Sequence, residues 1–287
     1  MLYLIAAVLL SVTIVTLFRY FIQLGINNLV AITTNYVVAL TMSLMFFNGN
    51  IQLHELSLRP WIIFAMLTGL CFIITFNTFA TSSQKTGIAI TAVSSKMSVI
   101  IPVIVSVLLF KGETLNFIKV TGILLVFISF YMIFKTDDKT GFNKKYLYLP
   151  ALLFLANGIN DSLMKYSQYT FLRSTEEIYI YLAVVFATAL SIGIILCFIL
   201  IIAGKLKVQL KSIFAGIFLG MLNWGSTFFF FKAVGQFNAS VFFPVFNVSI
   251  VALSALIGLL VFREHLSRLN RAGLIFAAIS IALIAIA

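Results

Sequence analysis

The chain has 287 residues, of which 62% are hydrophobic and only 9% are charged, and its formal net charge is +11. Because a soluble domain carries about a quarter charged residues, this composition excludes an ordinary soluble globular protein. It also leaves no soluble face on which basic residues could gather, so no nucleic-acid partner is predicted.

Long apolar segments follow one another along the whole chain. Segments of about 18 or more apolar residues are too long for core helices and are typical of helices that cross a bilayer. Backbone groups in lipid must be satisfied within the segment, which favours helices. The predicted spans cover roughly 2–21, 29–47, 60–80, 87–110, 116–134, 147–166, 178–203, 212–231, 238–262 and 268–287.

The two halves of the chain repeat each other. Residues 62–136 align without a gap with residues 213–287, so that Gly69 falls on Gly220 and Ser98 on Ser249. Five spans precede the midpoint and five follow it, and an odd number of spans forces the second copy to enter the membrane inverted. Inverted repeats of membrane helices are typical of secondary transporters, whose site lies near the midplane where the copies meet.

The predicted fold is therefore an all-α integral membrane protein with ten transmembrane helices in two inverted five-helix repeats. The first repeat covers 1–136 and the second covers 147–287. A charged connector at 137–146 joins them.

In the first and third spans, polar residues interrupt apolar sequence. Arg19, near the end of the first span, is expected to reach the lipid headgroups, as long basic side chains near helix ends do. Asn77 in the third span is a candidate substrate-binding residue. The alternative for Asn77 is a hydrogen bond that holds neighbouring helices together.

Lys96 in the fourth span is the sharpest single signal. It lies 11 residues after Lys85, or about 16 Å along a helix, and so close to the centre of the bilayer. A lysine there costs roughly 2.5–3.5 kcal/mol and almost always faces a cavity or a partner. The functional interpretation is that Lys96 binds an anionic substrate group or that its proton equilibrium gates transport. The alternative is a structural ion pair between two helices.

The sixth span has a polar face. Asn157, Asp161 and Lys165 follow at intervals of four residues and therefore share one side of a helix. In the functional interpretation they form a polar wall, with Asp161 as a proton carrier or as the acceptor for a substrate amine. The alternative is that Asp161 pairs with Lys165 near the membrane surface.

The eighth and ninth spans complete the candidate site. Asn223 and Trp224 lie deep in the eighth span, and a deep tryptophan beside polar residues suits a substrate pocket. Packing between helices explains them equally well. Asn247 in the ninth span is the repeat equivalent of Lys96, so the two are expected on opposite walls of one central cavity.

Short loop motifs give the chain a family resemblance. The first repeat contains Phe110-Lys111-Gly112-Glu113-Thr114-Leu115 followed by Gly122, and the second contains Phe262-Arg263-Glu264-His265-Leu266 followed by Gly273. With Pro102 and Pro244 in the fourth and ninth spans, this pattern resembles the drug/metabolite transporter superfamily, specifically its ten-span EamA-type members. The resemblance implies transport of small metabolites.

The predicted function is that of a secondary transporter, not an enzyme, which moves a small polar metabolite such as an amino acid or organic acid by alternating access. Its partners are the substrate, the lipid bilayer and a coupling ion such as a proton. No cofactor and no metal are predicted. A monomer is sufficient and a dimer is possible, and the expected location is the bacterial cytoplasmic (inner) membrane. The alternatives are a lipid-headgroup flippase, an intramembrane enzyme and a passive channel.

Overall fold

The computed structural model describes residues 2–47, 59–101, 104–105, 117–134, 144–234, 239–263 and 267–286. These residues include ten α-helices and a short 3₁₀ helix, Lys144–Tyr146, and residues 100, 101, 104 and 105 are also helical. None of the described residues lies in a strand. The helices are α1 (Leu2–Gln23), α2 (Asn28–Met45), α3 (Ile62–Lys85), α4 (Ile88–Met97), α5 (Phe117–Phe134), α6 (Tyr148–Thr170), α7 (Thr175–Ile202), α8 (Leu210–Val234), α9 (Ala239–Leu260) and α10 (Arg268–Ile286). The all-helical prediction is confirmed for this part of the chain.

Five of the described helices are long and apolar enough to cross a membrane. They are α1, α2, α3, α7 and, over Leu210–Phe230, α8. Shorter apolar stretches occur in α4, α5 and α9. The structure is therefore compatible with an integral membrane protein.

The chain divides into two compact units. The first comprises Met1–Tyr20, Thr78–Gly158 and Gly225–Ala287, and the second comprises Phe21–Asn77 and Ile159–Trp224. Each unit takes segments from both halves of the sequence, and the divisions fall inside α1, α3, α6 and α8.

Helices at corresponding positions of the two sequence halves pack against each other within these units. In the first unit α5 packs against α10 and α4 against α9, and in the second unit α2 packs against α7. In each pair the second helix comes five helices after the first.

Local sequence fixes several helix ends. The Asn27 side chain accepts a hydrogen bond from Val30 N–H at the start of α2. At the start of α7, Ser174 and Glu177 each accept a bond from the other's backbone N–H, which is a capping box. Gly87 separates α3 from α4 with a φ of 95°, a conformation that side-chain-bearing residues rarely adopt.

The fourth predicted span differs from expectation. A continuous helix over roughly 87–110 was expected, but α4 ends at Met97 and a turn follows. After the turn, Ile101 N–H donates to Ser98 C=O at 2.9 Å, a bond one residue shorter than an α-helical one. Residues 100 and 101, and again 104 and 105, are helical, so the fourth segment is interrupted at Ser98 and Val99. Lys96 thus lies in the last turn of a short helix.

Candidate functional site

Lys96 is the charged centre of the candidate site. It lies in the last turn of α4 and is partly buried, while the residues on either side of it, Ser95 and Met97, are buried. Its Nζ lies 5.0 Å from the centre of the Phe246 ring on α9. A cation at this distance from an aromatic face is attracted by the ring quadrupole, more strongly where water is excluded.

Phe246, which contacts the lysine, is packed among apolar side chains. Its side chain is buried and belongs to an apolar cluster that includes Val8 and Val12 of α1 and Ile250 of α9. The Phe230 ring of α8 meets it edge-on with ring centres 5.2 Å apart. These contacts hold the ring in place, so the Lys96 ammonium has a packed aromatic ring on this side.

The sixth helix reaches the same place through a hydrogen bond. Asn157 Nδ2 on α6 donates to Ser95 Oγ on α4 at 2.9 Å. The next residue of α6, Gly158, approaches so closely that an added Cβ would lie 2.6 Å from Cβ of Ile101. The bond and the close approach hold α6 against the interrupted fourth helix, beside Lys96.

Asn247 follows Phe246 on α9 and is 7% exposed. The helix that carries it packs against α4, and Val248 and Val251 of α9 contact the apolar cluster that contains Val93 and Met97. Three sequence-predicted site residues, Lys96, Asn157 and Asn247, therefore lie on α4, α6 and α9 in the first unit. Ser95, next to Lys96 in the chain, bonds Asn157, and Phe246, next to Asn247, contacts Lys96.

The other four sequence-predicted residues, Asn77, Asp161, Asn223 and Trp224, belong to the second unit. Asn77 Nδ2 donates to Ile73 C=O in its own helix at 2.8 Å. Asn223 Nδ2 on α8 donates to Asn35 Oδ1 on α2 at 3.1 Å. These bonds fit the interpretation in which the amides support helices and helix packing.

Trp224 is part of an aromatic stack. Its ring lies nearly parallel to that of Phe46, with centres 4.7 Å apart, and Phe46 stacks in turn on Tyr179 at 6.3 Å. Trp224 itself is only 8% exposed. The indole on α8 thus contacts the end of α2, which fits the interpretation in which Trp224 packs helices together.

Asp161 is exposed although it lies within α6. Ile159, two residues earlier, is 50% exposed and Leu155 is 53% exposed. At 100° per residue, Asp161 points about 160° away from Ile159. Asp161 therefore points to the side of α6 opposite these exposed apolar residues.

Arg19 forms hydrogen bonds with the end of a neighbouring helix. Its Nη1 donates to Ser83 C=O at 3.1 Å and to Gln84 C=O at 2.5 Å, at the C-terminal end of α3. Gln84 Nε2 returns a bond to Phe18 C=O at 2.9 Å. The guanidinium thus caps a helix end, where unpaired carbonyls and the helix dipole favour a positive charge.

Three residues that make these contacts were not predicted from the sequence. Asn35 is fully buried and pairs with Asn223, and it stands out as an amide in an apolar span, within Thr33-Thr34-Asn35-Tyr36. Ser95 and Phe246 gave weaker signals, because serine and phenylalanine are common in membrane helices. The loop motifs at 110–115 and 264–266, Pro102 and most of the connector lie outside the described residues.

No family model matches the chain. It is similar to a protein of Haemophilus influenzae (strain ATCC 51907 / DSM 11121 / KW20 / Rd) that is described only as an uncharacterized protein. The two are 27% identical over 285 residues, which cover 96% of this chain and 94% of that protein.

Proposed function

We propose that the protein is a secondary transporter that moves a small metabolite with a carboxylate or phosphate group across the membrane by alternating access. The observation that carries this proposal is the position of Lys96. Its ammonium lies in the last turn of the interrupted helix α4, over the Phe246 ring, beside the Ser95–Asn157 hydrogen bond. A substrate anion would bind the ammonium, while the neighbouring amides of Asn157 and Asn247 offer hydrogen bonds that fix its orientation.

The interruption of α4 supports transport over a purely structural role for the lysine. In transporters, discontinuous membrane helices place binding groups near the midplane, and irregular backbone at that depth is tolerated where it lines a cavity or is buried in protein. A structural ion pair would need no helix break next to it. The turn after Met97 therefore suits a site that must bind and release a substrate.

We further propose that all ten helices cross the membrane and that the two sequence repeats, 1–136 and 147–287, are inverted relative to each other. Two observations support this: each described helix overlaps one predicted span, and α4, α5 and α2 pack against their equivalents α9, α10 and α7. Rocking of one repeat against the other would open the Lys96 site to each side in turn. The membrane in question would be the bacterial cytoplasmic membrane.

Asp161 is proposed as the proton-coupling group or as the acceptor for a substrate amine. It is an exposed carboxylate on α6, four residues after Asn157 and four before Lys165. Protonation would remove its charge when the substrate moves. An Asp161→Asn variant would then keep binding at Lys96 but lose its response to a pH gradient.

The experiment is transport by purified protein in liposomes, with a panel of radiolabelled amino acids and small organic acids. We expect saturable uptake of at least one anionic compound by the wild type, loss of that uptake in Lys96→Met and partial retention in Lys96→Arg. Lys232→Met is the matched control, since Lys232 is an exposed lysine in the last turn of α8.

The same assay separates the alternatives. Full uptake by Lys96→Met removes Lys96 from the site. Flux that does not saturate and shows no counterflow indicates a channel, and movement of fluorescent lipid without metabolite uptake indicates a flippase. The first result contradicts the proposed substrate site, and the other two contradict the proposed carrier.

A further inference from the structure

The loop between α7 and α8 presents lysines at one end of the second unit. Its sequence is Lys205-Leu206-Lys207-Val208-Gln209, followed by Leu210 and Lys211 at the start of α8. Lys205, Lys207 and Lys211 are all exposed, and together they are called the basic rim. The sequence contains no aspartate or glutamate from residue 178 to residue 263 and none from residue 1 to residue 54. Neither this loop nor the turn between α1 and α2 therefore offers an acid to neutralise the rim.

Backbone hydrogen bonds define the start of this loop. Gly204, two residues after the end of α7, has a φ of 67°. Its N–H donates to Ile201 C=O at 3.0 Å, and Lys205 N–H donates to Leu200 C=O at 2.9 Å. This is the pattern of a Schellman motif, which terminates helices in a defined conformation. Leu206 is buried directly after it, so the flanking lysines are turned outward.

The turn between α1 and α2 is hydrogen-bonded to the start of α8, next to the basic rim. Lys211 Nζ donates to Leu24 C=O at 2.8 Å, and Asn27 N–H donates to Ser212 Oγ at 3.0 Å. Gly25 comes so close that an added Cβ would lie 3.1 Å from Lys211 Nζ. The α7–α8 loop and the α1–α2 turn thus contact each other beside the lysines.

Exposed apolar side chains on α8 indicate where the basic rim lies relative to the membrane. Leu210, Phe214, Phe218 and Met221 are all exposed and recur at intervals of three or four residues, so they form one stripe along α8. In the proposed membrane-spanning arrangement this stripe faces lipid tails. Because the stripe begins at Leu210, the lysines beside it lie at the level of the headgroups.

We propose that the basic rim is a binding site for anionic phospholipid headgroups. The phosphate groups of such a lipid contact Lys205 and Lys207, while its tails lie along the stripe that begins at Leu210. Clusters of basic residues next to a membrane helix attract anionic lipids, and exposed apolar residues beside them add affinity. The proposal rests on the membrane placement in the proposed function but does not depend on transport.

The test measures lipid binding by native mass spectrometry of the full chain in a nonionic detergent. The probes are a short-chain phosphatidylglycerol and a phosphatidylcholine with the same tails. We expect the wild type to prefer phosphatidylglycerol at least tenfold. Each lysine near a charged headgroup contributes a factor of about five, so the double variant K205Q/K207Q should lose about 25-fold in affinity for phosphatidylglycerol.

Two controls test whether the effect is specific to the basic rim and to lipid. K232Q, at the other end of α8, should bind phosphatidylglycerol like the wild type, and inorganic phosphate at equal concentration should not displace the lipid. Equal affinity for both lipids, no loss in K205Q/K207Q, an equal loss in K232Q or displacement by phosphate would each overturn the proposal. If the double variant does not fold, the test uses the wild type alone. Its preference for phosphatidylglycerol over phosphatidylcholine must weaken as salt rises from about 50 to 300 mM, because salt screens exposed charges. A preference that does not change with salt would overturn the proposal.

Discussion

Asn157 on α6 donates a hydrogen bond to Ser95 on α4, one residue before Lys96, and the donor and acceptor lie 2.9 Å apart. The bond joins the sixth helix to the last turn of the interrupted fourth helix. Gly158 packs against Ile101 on the far side of the same turn. The position of Lys96 therefore depends on a contact between the two halves of the sequence.

The Asn157–Ser95 bond should be measurable as a coupling energy. Variants Asn157→Ala and Ser95→Ala, alone and combined, should give a coupling of about 0.6 kcal/mol and at most about 1.7 kcal/mol, the range for hydrogen bonds between membrane helices. The measurement is reversible unfolding in mixed micelles. Asn157→Ala combined with Ser11→Ala serves as a control, since Ser11 bonds Ser226 instead and the two effects should add. Strict additivity in the Asn157–Ser95 cycle would mean that the bond does not form in the membrane.

The close approach of α6 at Gly158 predicts a cost for a single methyl group. Gly158→Ala should destabilise the protein by about 1–3 kcal/mol, because the Ile101 side chain must move to admit the new Cβ. Gly225→Ala is a matched control, since there an added Cβ meets only Cδ1 of Leu10 at 3.3 Å. Thermal unfolding in detergent should rank the two variants in this order. Equal melting temperatures would contradict the observed approach of the helices.

Arg19 is predicted to stabilise the end of α3. Arg19→Gln should lower stability by about 1.5–3 kcal/mol, the range for hydrogen bonds to a charged group, because two carbonyls lose their donor. Arg19→Lys should recover only part of this, since an ammonium lacks the planar fork of a guanidinium. Arg173→Gln, at an exposed arginine, is the control. The measurement is thermal unfolding, and an Arg19→Gln variant as stable as wild type would favour the headgroup interpretation.

Trp224 is predicted to act in packing. Trp224→Phe should retain transport, because a phenyl ring preserves most of the stack on Phe46. Trp224→Ala should destabilise the protein by about 3–5 kcal/mol, the usual cost of removing a buried aromatic side chain. Uptake and melting temperature measured on the same preparations separate the two effects. Loss of uptake in a Trp224→Phe protein that folds normally would return the indole to the substrate site.

The helices were predicted well from the sequence, because each apolar segment is long and favours a helix whichever neighbours it packs against. It did not predict the end of α4 at Met97. Pro102 lies in the predicted fourth span, but where the helix is interrupted depends on bonds such as the one from Ile101 N–H to Ser98 C=O. Propensity rules do not locate such a turn to the residue.

Site prediction was limited by a property of polar residues in membranes. An amide in an apolar span must find a partner whatever its role, so Asn77, Asn157 and Asn223 looked alike in the sequence. Tertiary contacts separated them: Asn157 bonds next to Lys96, whereas Asn223 bonds Asn35 in the second unit. Which helices meet is set by packing between distant segments, and this information is not local.

The most direct test of the central claim asks whether position 96 is reached by water. Cys71 and Cys197, the two cysteines of the chain, are replaced by alanine, and Lys96→Cys and Val93→Cys are made in that background. Val93 is the matched control because it is fully buried one turn earlier on α4. A membrane-impermeant, positively charged thiol reagent should label the cysteine at 96 and not the cysteine at 93. Equal inertness at both positions would contradict a solvated site at Lys96 and with it the proposed carrier.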